Sequence, residues 1–265
     1  MEVTFKYTKT NFLMNPFSLS LQREVMESIK RLEQTEDFTQ GQNNHDLLTE
    51  RDKYTSRIFR IQSALRNTSE QLFHIKIFLN RYPFRKHYLE QGISQLEYIQ
   101  YHTEALYHKV HTVLEIMRLM VNEVYQLNIP LKDCSWLKLK KKLSVTERPM
   151  ECLTQYFDVF RNLIDLRHLN SHRGYYEDEE KDKIDLNFGL FFYKEEHNGY
   201  RIDEDLKRHI PLPLINYMLK EHKSKRVKLV EEIIWLNEKY LTEFLSSLAI
   251  EYERQRLSLS DRPRK

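Results

Sequence analysis

The stretch Ser94–Leu127 constrains this chain more than any other. Across it Ile99, Leu106, Val110, Val113, Ile116, Met117, Met120 and Val124 recur at the spacing of one face of an α-helix. A helix that long cannot bury its own apolar stripe, so the chain must bring other long helices against it. Three further stretches fit that need. Residues 49–80 carry Ile58, Ile61, Leu65, Leu72, Ile75 and Leu79 at helical spacing. Residues 150–170 carry Leu153, Phe157, Phe160 and Ile164, and residues 223–255 run from Val227 and Val230 through Ile233 and Leu241 to Leu248. A shorter helix is expected over 19–34, with Leu21, Val25, Ile29 and Leu32 on its stripe. Pro83, Pro130 and Pro149 fall in the breaks, where a missing N–H costs least. The pattern predicts a mostly α fold, an up-and-down bundle of four to five long helices.

Two segments depart from the helical period. Val3, Phe5 and Tyr7 alternate before Pro16, which suits a short edge strand. Ile184, Leu186, Phe188, Leu190 and Phe192 alternate as well. His197-Asn198-Gly199 then reads as the turn of a β-hairpin returning through Tyr200 and Ile202. The expected organisation is one domain over 1–265, with a peripheral strand and helix in 1–48 and an inserted β-hairpin in 184–202, just before the last helix. Residues 35–48 around Gly41 and the acidic run EDEEKDK at 177–183 read as loops.

Composition removes several functional classes. Five glycines in 265 residues leave no room for a glycine-rich phosphate loop or a low-complexity tract. Cys134 and Cys152 are the only cysteines, too few for a disulfide framework, and no CxxC occurs. A reducing, cytoplasmic location fits best. No run of about 18 apolar residues suggests a membrane span, and MEVTFKYTKTNF lacks the apolar core of a signal peptide. The formal charge is +3, so any nucleic-acid binding has to come from local basic surface.

Chemistry concentrates in LIDLRHLNSHRG, residues 163–174. Tyr156, Phe160, Leu163 and Arg167 share one helical row, and Phe157, Ile164 and His168 share the next. The apolar stripe therefore runs into Arg167 and His168, and a cation in that position is costly unless it faces a partner, an interface or a cleft. His172 follows Arg167 by five residues, with Asn170 between them and Asp165 and Arg173 on either side. An imidazole titrates near neutral pH, whereas a guanidinium keeps its charge and its fork matches phosphate oxygens. Together they can cleave RNA without a metal. The histidine moves a proton at the ribose 2′-hydroxyl or the leaving oxygen, and the arginine holds the charge that builds on phosphorus. Five residues turn about 140° on a straight helix, so the two side chains share a site only if the helix ends near Asn170-Ser171 or a second chain takes part. The competing structural role is a helix C-terminus dressed with cations that complement its dipole.

Arg167-x4-His172, with His168 directly after the arginine and late in a bundle helix, resembles the R-x4–6-H motif of the HEPN superfamily. The likeness extends over roughly residues 50–175 and 215–255. It implies an all-α homodimer with a composite active site, metal-independent endoribonuclease activity, and roles as a toxin with its antitoxin or regulator, or in phage defence. Some members of that superfamily are non-catalytic, and the alternative reading of this chain is a non-catalytic helical interaction protein or a nucleic-acid- or nucleotide-binding one. By resemblance Arg167 and His172 are the catalytic pair, and His168, Asn170, Arg173 and Asp165 assist or bind substrate. RNA is the implied partner, and neither a cofactor nor a metal is expected. The toxin subgroup's tyrosine two residues past the histidine is replaced by Gly174, with Tyr175 and Tyr176 beyond it.

Other residues invite chemistry. His102, Tyr107, His108 and His111 suggest either a metal set or the lining of a cleft opposite Arg167. Lys138, Lys140, Lys141 and Lys142, and the group Lys223, Lys225, Arg226 and Lys228, are solvated faces or phosphate contacts. Phe188, Phe191, Phe192 and Tyr193 read as core or dimer surface, or as a platform for stacking bases.

Overall fold

A computed structural model describes residues 11–82, 85–173, 178–187, 189–197 and 199–260, without the side chains at 11, 170–173, 186–187 and 197. The described residues are all-α, in keeping with a helical bundle, and contain no strand. Ten α-helices follow one another: α1 (Pro16–Glu33), α2 (Glu50–Asn80), α3 (Arg85–Glu90), α4 (Gln95–Val124), α5 (Trp136–Lys142), α6 (Arg148–Arg173), α7 (Glu179–Asp182), α8 (Leu190–His197), α9 (Glu204–His209) and α10 (Leu212–Ser258). Among the described residues no helix is long and apolar enough to cross a membrane. The chain divides into two compact units. The first comprises Met1–Glu70, His111–Arg161 and Trp235–Lys265, and the second Gln71–Val110 and Asn162–Ile234.

The first unit combines aromatic packing with buried hydrogen bonds. Asn15 starts α1 by accepting from Ser18 N at 2.9 Å, and Pro16 takes the first-turn position where its missing N–H costs nothing. Phe17 then meets Tyr252 edge-on at 5.4 Å, and Tyr252 stacks on Tyr54 at 5.8 Å. The buried Tyr54 hydroxyl donates to the Val124 carbonyl, at 2.8 Å, near the end of α4. Tyr156 is fully buried, and a chain of hydrogen bonds links its hydroxyl to Asn237 Oδ1 (3.1 Å) and Asn237 Nδ2 to Ser69 Oγ (3.2 Å). In that chain the buried Tyr156 hydroxyl and Asn237 amide are both partnered, as buried polar groups require.

The second unit has a smaller apolar cluster of Leu96, Ile184, Leu190, Ile215 and Leu219. Ser94 and Glu97 cap α4 reciprocally: Ser94 N donates to Glu97 Oε2 at 2.6 Å, and Glu97 N to Ser94 Oγ at 3.3 Å. Lys194 of α8 reaches both Glu97 (3.2 Å) and Asp185 (3.4 Å). An ionic clasp joins α7 to α10. Asp178 caps α7 by accepting from Lys181 N and pairs with Arg226 at 2.5 Å, while Glu180 meets Lys225 and lies 3.4 Å from the Nδ1 of buried His222.

The expected hairpin over 184–202 is corrected by this unit. Lys183–Asn187 form a π-helical turn and Leu190–His197 form α8. Ile184, Leu190 and Tyr193 face the cluster, at separations of six and three residues, whereas Phe191 and Phe192 are 44% and 37% exposed. The alternation was a by-product of a segment rich in Phe and Leu; the side chains that are buried follow a helical period. Gly199 is a helix stop and not a hairpin turn. At φ +97° its N–H bonds Glu196 O and the next N–H bonds Glu195 O, closing α8 as a left-handed cap does. Asn198 and Phe188 lie outside the described residues, as does the expected strand at Val3–Tyr7. Two boundaries also move. The acidic run was read as a loop but holds α7, and α10 starts at Leu212, 11 residues before the expected 223, because Pro213 is tolerated in a first turn.

The clasp makes a pH dependence. Its bond to Lys225 holds the Glu180 carboxyl below the ordinary range, so its contribution is present above about pH 4.5 and lost as pH falls through the folded value. Burial, with Arg226 adding to it, pushes His222 below its ordinary range against the pull of Asp178 and Glu180. The unfolded chain then takes up a proton near pH 6.5 that the folded one refuses, so this contribution is complete above that value and declines below it. Both signs agree. Amide exchange over 178–187, corrected for its intrinsic pH dependence, is expected to accelerate between pH 7.5 and 5. Unchanged protection over that range would show that His222 does not matter to the clasp; the Glu180 contribution is read below pH 4.5.

Candidate functional site

Helix α6 continues without a break through Arg173. Ile164 is buried, and one turn later the stripe reaches Arg167, which is half-buried, while His168 and Asp165 are exposed. The guanidinium of Arg167 has an unusual environment. Its Nε is buried and has no acceptor among the described residues, and no carboxylate there pairs with it. Its Nη1 lies 3.3 Å from His168 Nδ1. Arginine can only donate, so that contact requires the His168 proton to sit on Nε2. Among the described residues Asp165 forms no ion pair, and Arg161 pairs with Asp158.

His108 of α4 belongs to the same second unit as Arg167. Burial pushes its imidazole below the ordinary range, the Arg167 guanidinium pushes it further, and Lys109 adds to this while Glu104 opposes. An imidazole held below its ordinary range thus lies within electrostatic reach of an arginine that has no carboxylate partner among the described residues. The other residues of the suspected histidine set separate. His102 packs on Tyr98 at 4.5 Å and Phe78 at 5.0 Å, and His111 lies 3.6 Å from Glu115. Among the described residues no group of three or more His, Cys, Asp or Glu could hold a metal ion.

The side chains of Asn170, His172 and Arg173 lie outside the described residues, as do Gly174, Tyr175 and Tyr176. The backbone still settles one question. Because α6 is helical through Arg173, positions 167 and 172 are about 140° apart around one axis and about 7.5 Å apart along it. The helix does not end between them, so that route to a common direction is closed.

Several cations expected to meet phosphate are already engaged. Lys225 and Arg226 belong to the clasp, and Lys223 donates to Asn80 O at 3.3 Å. Lys138 pairs with Asp133 at 3.3 Å, whereas Lys140 lies over the Trp136 ring at 4.9 Å. The clasp itself escaped the sequence reading: Asp178 and Arg226 are 48 residues apart, and no local period links them.

Residues 58–240 match the profile of a protein family described as Cthe2314-like HEPN. No curated protein and no solved structure matches the chain.

Proposed function

The chain belongs to the HEPN superfamily, and from that premise we propose that it is a metal-independent endoribonuclease that works as a homodimer. Both compact units are parts of one HEPN domain in this reading, since the matched residues 58–240 draw on both. Arg167 and His172 carry the chemistry. His172 moves the proton between the 2′-hydroxyl, the leaving oxygen and water, and Arg167 stabilises the phosphorane-like charge. His168 orients the guanidinium through the contact already described, and Asn170, Arg173 and Asp165 assist around the substrate. Cleavage by such a protein would arrest growth, as a toxin restrained by an antitoxin or as a phage-defence effector does.

One observation carries the reading: a half-buried guanidinium with an orphaned Nε and no carboxylate among the described residues. A structural arginine in that position would be expected to hold a carboxylate, because an unpaired charge removed from water is costly. A phosphate would supply the missing acceptor. The continuous helix supports a two-chain site, in which Arg167 of one protomer and His172 of its partner meet at a two-fold axis.

Subunit mixing tests this arrangement. Arg167→Ala and His172→Ala homodimers should each be inactive. When they are mixed one to one and allowed to exchange, half the dimers are mixed, and each mixed dimer holds one intact composite site. Activity is then expected to return to about a quarter of wild type. No recovery, with exchange verified by differently tagged chains, would rule out a site shared between protomers.

A further inference from the structure

The first unit holds a cavity of about 380 Å³ between α4, α5 and α6, at the small end of the roughly 300–1,000 Å³ typical of ligand pockets. Leu114 and Leu153, both buried, form part of its wall. Thr154 lies beside them, and most of the rest is of two kinds. Trp136 and Phe157 supply aromatic rings, and Arg118, Lys140 and Arg161 supply cations, with Asp158 as the carboxylate in the lining.

Ring and cation alternate for a local reason. Trp136 and Lys140 are one turn apart on α5, which puts Lys140 Nζ 4.9 Å from the indole centroid. Phe157 and Arg161 are one turn apart on α6, with the guanidinium 5.3 Å from the ring. Lys140 and Arg161 are exposed at the rim, where Arg161 also pairs with Asp158 at 2.5 Å. Arg118 is largely buried. It pairs with Glu115, and its Nε has no acceptor among the described residues. Helix α5, WLKLKKK, has four lysines and no acid, in a chain whose formal net charge is only +3. Aromatic faces flanked by exposed cations, with a further donor lacking an acceptor among the described residues, match an aromatic base joined to a phosphate. An aliphatic or purely anionic ligand would leave the rings unused.

We propose that this pocket binds one nucleotide, its base stacked against Trp136 and Phe157 and its phosphate held by Arg118, Lys140 and Arg161, and that the nucleotide belongs to single-stranded RNA. The identity of the polymer rests on the ribonuclease reading; the stacking and anion contacts do not.

The chain has two tryptophans, and Trp235 is 63% exposed, so Trp235→Phe leaves Trp136 as the sole indole reporter. In the full-length protein carrying that change and Arg167→Ala, which blocks cleavage, a twelve-nucleotide oligouridylate should quench Trp136 saturably. Adding Lys140→Glu or Phe157→Leu should weaken binding about tenfold each, and only the lysine change should flatten the salt dependence. Uridine monophosphate is the second titrant. Binding at least tenfold weaker than the oligomer assigns the site to RNA, and equal binding assigns it to a free nucleotide. No quenching by either, or quenching that Lys140→Glu does not weaken, overturns the site. Cleavage by the Arg167-containing protein is scored separately, so a pocket without ribonuclease activity and a ribonuclease without this pocket give different results.

Discussion

Arg167→Ala is expected to lower RNA cleavage about a thousandfold and to leave the thermal midpoint within a few degrees of wild type. Both halves follow from the environment of the side chain. Removing one preorganised donor from a developing phosphorane charge costs about 3–4 kcal/mol of transition-state stabilisation, two to three orders of magnitude in rate. The folded state loses little, because the guanidinium makes no carboxylate pair among the described residues and leaves its Nε unsatisfied. Deleting the unsatisfied Nε abolishes a desolvation penalty, set against the lost contacts of the stem and of Nη1 with His168. Arg167→Lys restores the charge but not the planar fork and is expected to recover only part of the loss. Cleavage of a labelled RNA, growth after induced expression, and circular dichroism melting of the same preparations check the set. Equal cleavage by wild type and Arg167→Ala would end the ribonuclease reading. A large drop in melting temperature with the activity would point instead to a structural arginine.

The long helices were legible because their signal repeats over many turns. α2 and α4 lie within a few residues of the spans read from Ile58–Leu79 and Ile99–Val124, since an apolar stripe of that length has one satisfactory burial. The 184–202 segment failed for the opposite reason. Five alternating apolar residues are too short a sample when Phe191 and Phe192 are apolar yet exposed, and a glycine at positive φ serves a helix cap as readily as a hairpin turn. At the site, the continuation of the α6 stripe into Arg167 was visible in the spacing, because it needs only residues on one helix. The nearness of His108 to Arg167 was only a possibility in the spacing, and the Trp136–Phe157 pocket was missed. Each joins separate helices, and nothing in a local period reports which faces meet.

Asp178→Ala should show how much the α6 tail depends on a residue that takes no part in the chemistry. Asp178 follows the last residue of α6 by only five positions, so wherever α7 is held, the tail is tethered within about 18 Å. It is held by the clasp, in which the Asp178 side chain is 6% exposed and that of Arg226 17% exposed. Truncating the acid leaves the arginine charge largely out of water, with no partner for Nη2 and an Nε that already lacks an acceptor among the described residues. Breaking a buried pair from one side costs about 3 kcal/mol, and loss of the α7 cap adds about 1 kcal/mol. Faster amide exchange across 162–187 and a fall in cleavage are expected together, although Asp178 touches no reacting atom. Asp178→Asn keeps an oxygen for Lys181 N and should fall between the two. The decisive variant is Asp178→Leu combined with Arg226→Met, which removes both charges and fills the space. If the clasp acts by position, that pair recovers slow exchange and most of the cleavage, because packed apolar groups can hold two helices as well as a buried ion pair does. Slow exchange without recovered cleavage would mean that the Asp178 or Arg226 charge itself acts on the RNA, and the clasp would then belong to the active site.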